Sequence, residues 1–452
     1  MNRAIVIGGG ADALVAAQIL ARAGREVMMI ESRTGVLDEG WVPPKVLRAL
    51  KIEGLQLEWP EPWASVPLAA GGRLELSREM ARSVESIRRV SERDAERWPQ
   101  FCERMARLAR FMEKIYSEAP PNPLEIGFAM QARRLGRRGL TDLLRILPMP
   151  VAELLDDWFE SDALKGALGA AGVLHLLQGP RSSGTGLRFL HYHVGCPPGV
   201  FRAPRSNILE ILRRMPRVEL ENTEVQRIAV RGGEVVGVVL EDGRELEATV
   251  VVSSADPRRS LLELVEPGWL DPELARALRN VRRRGVAARL RLQLDRSPGF
   301  ASLALAPSLD YLERAYDDAK HGRVSRAPYL EARCDEQHRM EVLVQYIPPK
   351  AVTRGLSEKI VALLSEHWGD AQPQHAELAA PRELEQFEGW PEGQPHQAEL
   401  ALDQALWMRP HPELAQYRTP IRGLWLCGPA MHPGAGIAGA SGLHCAHAIL
   451  GR

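Results

Sequence analysis

Ala4-Ile5-Val6-Ile7-Gly8-Gly9-Gly10-Ala11-Asp12-Ala13, followed by a helix-like run from Leu14 to Ala23, then Gly24, Val27-Met28-Met29-Ile30 and Glu31, reads as strand, glycine turn, helix, strand and acid. Gly8 lets the chain turn tightly off the first strand. Gly10 leaves no Cβ between the backbone and a pyrophosphate seated on the positive end of the helix. Ala13 takes the third place of the fingerprint, where a small residue lets helix and strand pack closely. Glu31 follows about 20 residues after the glycines, where an acid accepts hydrogen bonds from both hydroxyls of an adenosine ribose. A βαβ unit whose glycines serve packing alone is the competing reading, and the full frame of two strands and a terminal acid weighs against it.

The 452 residues exceed what one simple core holds, so two domains or one elaborated α/β body is expected. Lys plus Arg and Asp plus Glu balance at 58 each, which leaves no global basic field to recruit nucleic acid. No apolar run approaches a membrane span and no leader pattern precedes the first strand, so the expectation is a cytoplasmic protein. Five scattered cysteines (Cys102, Cys196, Cys334, Cys427, Cys445) without a CxxC argue against a disulfide framework or a zinc site, and no metal is expected.

Glu79 to Tyr116 has helical spacing, ended by Pro120-Pro121-Asn122-Pro123. Ile126 to Leu147 is basic and amphipathic, with Arg133, Arg134, Arg137, Arg138 and Arg145 among leucines. It is either a solvated face of a cap or a peripheral contact with an anionic membrane or acidic partner. Val225 to Val230, Glu234 to Leu240 and Leu246 to Val252, turned by Gly232-Gly233 and Asp242-Gly243, predict an antiparallel meander. Arg289 to Leu294 alternates as a half-buried strand, and Met340 to Tyr346 is another, which together predict a second sheet. Helices are expected at Ser308 to Lys320 and Glu358 to Trp368. Leu424 to Gly428 is a short strand, followed by a glycine loop and a small-residue helix from Ile437 through Leu450.

These pieces resemble a known family. Residues 8–32 (GGGADALVAAQILARAGREVMMIES), 218–265 (VELENTEVQRIAV through SSADPRRSLLELV) and 422–450 (RGLWLCGPAMHPGAGIAGASGLHCAHAIL) are similar to the phytoene-desaturase-related flavoproteins, FAD-dependent oxidoreductases of the broad amine-oxidase-like group. The resemblance spans nearly the whole chain. It implies bound FAD and an α/β fold: a Rossmann-type FAD-binding domain assembled from residues 1–60, 200–260 and 415–452, with an inserted α+β substrate domain and helical cap from residues 61–199 and 261–414. By position, Gly8, Gly10 and Ala13 would hold the pyrophosphate, Glu31 the ribose, and Val225 the adenine through its backbone. Gly428, Gly436 and Ile437 would lie by the ring end, beside a helix N-terminus near Ile437 and Ala438. Two segments depart from the pattern. The usual Gly-Gly pair after the ribose acid is replaced in Ser32-Arg33-Thr34-Gly35-Val36-Leu37, and a usual Gly-Gly-Met-Gly segment is replaced by residues 197–205.

His432 is the expected catalytic polar group, since the resemblance places its loop by the ring; a histidine that only bonds the turn is the alternative. His396 and Tyr346 are weaker candidates. His191 and His193, two apart, would share one face of a strand, without the further ligands a metal needs. The resulting expectation is a dehydrogenase, desaturase or isomerase acting on an apolar or lipid-like small molecule. One alternative is an FAD oxidoreductase acting on a group presented by a carrier or partner protein at Arg133 to Arg145; the other is a non-catalytic flavin-binding or assembly subunit.

Overall fold

The computed structural model describes residues 3–31, 40–120, 136–216 and 218–451. Arg3–Ile7 and Glu26–Ile30 pair in parallel around the helix Ala11–Arg22. Their side chains are buried on both faces, as a parallel sheet requires. Three strands from distant segments complete this sheet, in the order Leu424–Leu426, Val250–Ser253, Arg3–Ile7, Glu26–Ile30, Glu219–Glu221, all parallel. Its strands therefore end together at one edge, where the turns after Ile7, Ile30, Ser253 and Leu426 lie side by side.

The meander differs from expectation at its third strand. Glu245–Glu247 pairs antiparallel with Glu234–Leu240, and Val250–Ser253 then leaves to pair with the opening strand. Ala248 and Thr249 are the crossing point between sheets, so one apolar run serves two of them. The second sheet runs Ser302–Leu305, Leu330–Cys334, Arg339–Gln345, Ala287–Leu294, Pro373–Ala379 and is antiparallel throughout. One face, with Leu290, Leu292, Val342 and Val344, is buried with Leu356, Ile360 and Leu364 of the helix Leu356–Ser365. The other face, with Arg289, Arg291, Glu331 and Arg333, lines a cavity.

The helix Glu92–Tyr116 starts at Ser91, whose hydroxyl accepts the Asp94 N–H at 3.1 Å, a standard N-cap. Its apolar side enters an aromatic cluster in which Phe101 meets Phe159 at 4.9 Å and Phe189 meets Phe201 at 4.8 Å between ring centroids. This packing fixes the helix end and carries Tyr116 under the cofactor loop. His191 and His193 lie on the helix Thr185–His193, not on a strand, so two residues apart places them on different sides. Among the described residues no helix is long and apolar enough to cross a membrane, and no group of three His, Cys, Asp or Glu side chains is placed to hold a metal.

Candidate active site

A cavity of about 220 Å³ runs along the ends of the parallel strands. At one end it is lined by Gly8, Gly9, Gly10, Asp12, Ala13 and Val225, and at the other by Gly428, Pro429 and Gly434 to Ala438. Seven of the eight residues expected at a cofactor thus line one continuous cavity. Glu31 stands just behind its wall.

Each glycine has its own reason. Gly8 sits at φ +111°, donates its N–H to the Ile30 carbonyl at 2.8 Å, and an added Cβ would meet the Ser254 hydroxyl at 2.1 Å. At Gly9 a Cβ would run into the Glu31 carboxylate at 1.9 Å. Gly10 is different: its backbone is extended (φ −76°, ψ 172°), and a Cβ there would touch nothing within 4 Å. The space it leaves is the cavity itself, at the N-terminus of Ala11–Arg22, where unpaired N–H groups favour an anion. Further along, Gln397 lines the cavity, donates to the Ser254 carbonyl at 2.9 Å and keeps its buried Oε1 without a partner. An open cradle at a helix N-terminus and an unanswered acceptor fit a dinucleotide with hydroxyls along its length.

Glu31 is held in place by Arg213, a residue sequence reasoning missed, whose Nη2 lies 2.6 Å from the carboxylate and 3.5 Å from the Gly9 carbonyl. Asp12, also unremarked in the sequence, accepts the Gly442 N–H at 3.3 Å. Burial raises its pKa to about 7, although hydrogen bonds from Gly442, Ser441 and Gly439 pull the other way. Gly40 lies close against the closing loop: a Cβ there would lie 2.6 Å from the Gly436 carbonyl oxygen. Trp41 continues the contact: its N–H donates to Gly436 at 2.9 Å and its carbonyl accepts from Ala438 at 2.8 Å. Residues 32–37 lie outside the described residues. The closing helix begins at Ala440 rather than at Ile437, so Ile437 and Ala438 meet the cavity as loop, three residues short of the helix.

His432 does not line the cavity. Its ring is fully buried with Nε2 3.4 Å from the Ile115 carbonyl, beside Tyr116 and His444, and burial lowers its pKa to about 3. The expectation of a catalytic group is corrected accordingly: the backbone of Gly434 to Ile437 faces the cavity, and the imidazole points into the packing behind it. His191 holds that loop instead. Its Nε2 reaches the Ala435 carbonyl at 2.7 Å, so Nε2 carries the proton and Nδ1 accepts from the Tyr116 hydroxyl at 2.9 Å. Arg409, wholly buried, ties the Pro429, Glu399, Gln404 and Ala398 carbonyls together; burial, then Arg188, lowers its pKa to about 9. Tyr346 is buried away from the cavity with its hydroxyl donating to Gln178 at 2.8 Å. His396 does line it, and because arginine can only donate, the 3.0 Å contact from Arg188 makes His396 Nδ1 an acceptor and places its proton on Nε2.

A second cavity, of about 330 Å³, shares Tyr192, Ala203, Trp390 and Pro395 with the first. Its floor is the inward face of the antiparallel sheet. Of the basic segment, Arg133 and Arg134 lie outside the described residues, Arg137 and Arg138 are exposed on the helix Gly136–Ile146, and Arg145 pairs with Asp157 at 2.7 Å.

The family model described as flavin containing amine oxidoreductase matches residues 52–450. The chain is 26% identical, over 99% of its own length and 93% of the other's, to pyridine nucleotide-disulfide oxidoreductase domain-containing protein 2 of Rattus norvegicus. It is 22% identical to a limonene dehydrogenase chain of Castellaniella defragrans, over 98% and 94% of the two chains. Among solved structures, wild-type putrescine oxidase bound to putrescine superposes with a TM-score of 0.60 at 15% identity, covering 100% of this chain and 99% of the other. An oxidoreductase from Methanosarcina mazei gives 0.59 at 13%, covering 100% of both. At these identities the structural likeness is one of fold.

Proposed function

The chain belongs to the flavin-containing amine oxidoreductase family and is an FAD-dependent oxidoreductase, and from that premise we propose that it oxidises a C–H bond of a small molecule with an apolar, lipid-like body. The observation that carries this reading is the junction at Tyr192, Ala203, Trp390 and Pro395, through which the second cavity opens onto the first. Leu174, Ala287, Ala288, Leu343 and Leu384 wall much of that second cavity. One relative is named for limonene, which supports an apolar substrate.

FAD, when bound, supplies the acceptor for a hydride equivalent. The chain's own groups position and exclude. Trp390 and Tyr192 narrow the passage, so a substrate entering it displaces water from the junction. Four carboxylates that line the two cavities are engaged: Asp256 pairs with Arg283 at 2.8 Å, Glu388 with Arg289, Glu331 with Arg202, and Glu341 with Arg205 at 2.6 Å. His396 holds its proton on Nε2 and can donate there but not accept. Shape rather than a free base therefore selects the bond to be broken, which suits hydride removal from carbon.

The test is anaerobic reduction of the FAD-loaded protein, followed by flavin absorbance, with apolar alkenes and alcohols set against putrescine. Reduction by the apolar set is expected. Ala203→Leu, which narrows the junction, should keep FAD content and reduction by dithionite while losing reduction by substrate. Reduction by putrescine alone would refute the proposal.

A further inference from the structure

The floor of the second cavity is charged. Side chains alternate across a strand, so Arg289 and Arg291 share one face with their registered neighbours Leu343 and Glu341, and that face continues through Glu331 and Arg333 of the adjoining strand. The opposite face is apolar and covered by a helix. This face lines the cavity at its inner end and opens to solvent at its outer end: the Arg289 and Arg333 side chains are each 16% exposed and Arg202 only 4%, against 53% for Arg291 and 48% for Arg205. Five arginines line the space (Arg202, Arg205, Arg289, Arg291, Arg333), against Glu331 and Glu341. Counting Glu388, which pairs with Arg289 from the adjoining cavity, and Glu377, registered beside Arg291, five guanidinium groups face four carboxylates; Arg202 pairs with Glu331, Arg205 with Glu341 at 2.6 Å and Arg333 with Glu331 at 3.2 Å, so one cation is left in excess. Burial first, and then the neighbouring Arg291 guanidinium, lowers the pKa of Arg289.

A second, separate observation points the same way. Arg188 lies behind the wall made by Leu174 and Tyr192 and is fully buried. Its Nη2 donates to the Leu174 carbonyl at 3.2 Å, to His396 Nδ1 at 3.0 Å and to the Tyr192 hydroxyl, while Nε and Nη1 have no partner. None of these neighbours is an anion. A buried guanidinium without a counter-charge is costly, and so is an excess of cations on a half-buried floor.

We propose that the second cavity is an anion site, in which Arg289, Arg291 and Arg333 seat a carboxylate or phosphate at one end of the substrate and Arg188 adds its field from behind the wall. The inference rests on the reading that this cavity receives the substrate. It deepens that reading: the apolar body lies against Leu174, Leu343 and Leu384 toward the junction, and the anionic end anchors on the sheet. A cationic amine would meet like charge there.

Calorimetric titration of the FAD-loaded protein with octanoate, octyl phosphate, octanol and octylamine tests the assignment, and acetate tests the chain. Octanoate or octyl phosphate should bind at least about tenfold more tightly than octanol, the scale of one charge-assisted hydrogen bond. Whichever of the two binds more tightly identifies the anion. Octylamine should be weakest, and affinity for the anion should fall as salt rises from about 0.05 M to about 0.5 M. Arg289→Gln with Arg291→Gln should weaken the anion at least about tenfold with FAD content unchanged, while Arg289→Lys keeps most of it. Should the double variant fail to fold, Arg291→Gln alone serves, since that side chain is 53% exposed. Octylamine binding as tightly as octanoate, or arginine variants that leave octanoate unaffected, would overturn the anion site. Acetate binding as tightly as octanoate would instead overturn the apolar body and leave the anion site standing.

Discussion

Asp12 should make FAD binding depend on pH. The carboxyl lines the cavity in the first turn of Ala11–Arg22, beside the Gly10 cradle, and burial raises its pKa from an ordinary 3.8 to about 7. The folded state thus prefers the proton. Below pH 4 folded and unfolded chains both carry it and no penalty arises. Between about 4 and 7 the unfolded chain ionises first and stability falls; above 7 the penalty is complete. Three pH units correspond to about 4 kcal/mol. Because the side chain is partly open to the cavity, solvent screening brings the expected value down to about 2 kcal/mol. Asp12→Asn keeps an acceptor for the Gly442 N–H and has no charge to bury, so the apoprotein should gain this amount at pH 8 and nothing at pH 4, measured by urea unfolding. FAD adds a pyrophosphate to the same end of the cavity, so binding should require the protonated carboxyl. In the wild type, affinity should then fall by up to about tenfold per pH unit above 7, the signature of one proton taken up on binding. Fluorescence titration of apoprotein with FAD at pH 6 to 9 measures this, and Asp12→Asn should be flat over the same range. An identical slope in wild type and variant would refute the reasoning, as would loss of FAD affinity in the variant at pH 6.

Three more outcomes are expected. Gly10→Val should weaken FAD by more than about 3 kcal/mol, roughly a hundredfold, while leaving the melting temperature of the apoprotein unchanged, because the added carbons enter open cavity; retained flavin after desalting would disprove the cradle. Glu31→Ala should weaken FAD by about 1.5 to 3 kcal/mol in equilibrium titration, and an unchanged dissociation constant would move the ribose partner elsewhere. His432→Asn should cost about 1 to 3 kcal/mol of stability at neutral pH without slowing flavin reduction. With its pKa lowered to about 3, the buried ring favours the folded state above pH 6.5 and loses that advantage as pH falls toward 3, so the variant's acid unfolding should be less steep by about one proton.

The opening unit was legible because strand, turn, helix, strand and acid lie within thirty consecutive residues and each step has a local chemical signature. Its sheet partners were not, since parallel strands join segments hundreds of residues apart and nothing in Leu424-Trp425-Leu426 names Val251-Val252-Ser253 as its neighbour. The run from Leu246 to Val252 read as one strand because hydrophobic alternation carries no mark of a change of sheet at Ala248. His432 failed for a different reason. The resemblance set its loop by the ring, and the backbone of Gly434 to Ile437 does line the cavity, but the direction of the His432 side chain depends on tight turns such as those at Gly434 and Gly436, whose φ values are +109° and +86°. Arg188 and Arg213 escaped notice because an arginine on an amphipathic helix ordinarily faces water, and only tertiary packing buries the one and brings the other to Glu31. The charged face of the second sheet was visible as alternation in Arg289-Leu290-Arg291-Leu292, although nothing in the pattern told solvent from cavity.

The parallel sheet also dictates when the site can exist. Its opening strand is flanked by Val250–Ser253, and that strand by Leu424–Leu426. At translation rates of about 5 to 20 residues per second, roughly 20 to 80 s pass between the emergence of the first strand and the last. For the last roughly 9 to 35 s of that interval, after its own emergence, the apolar edge of Val250–Ser253 has no neighbour on one side, and Gly436 has not arrived to meet Gly40. FAD can therefore be captured with full contacts only after nearly all of the described chain has been made.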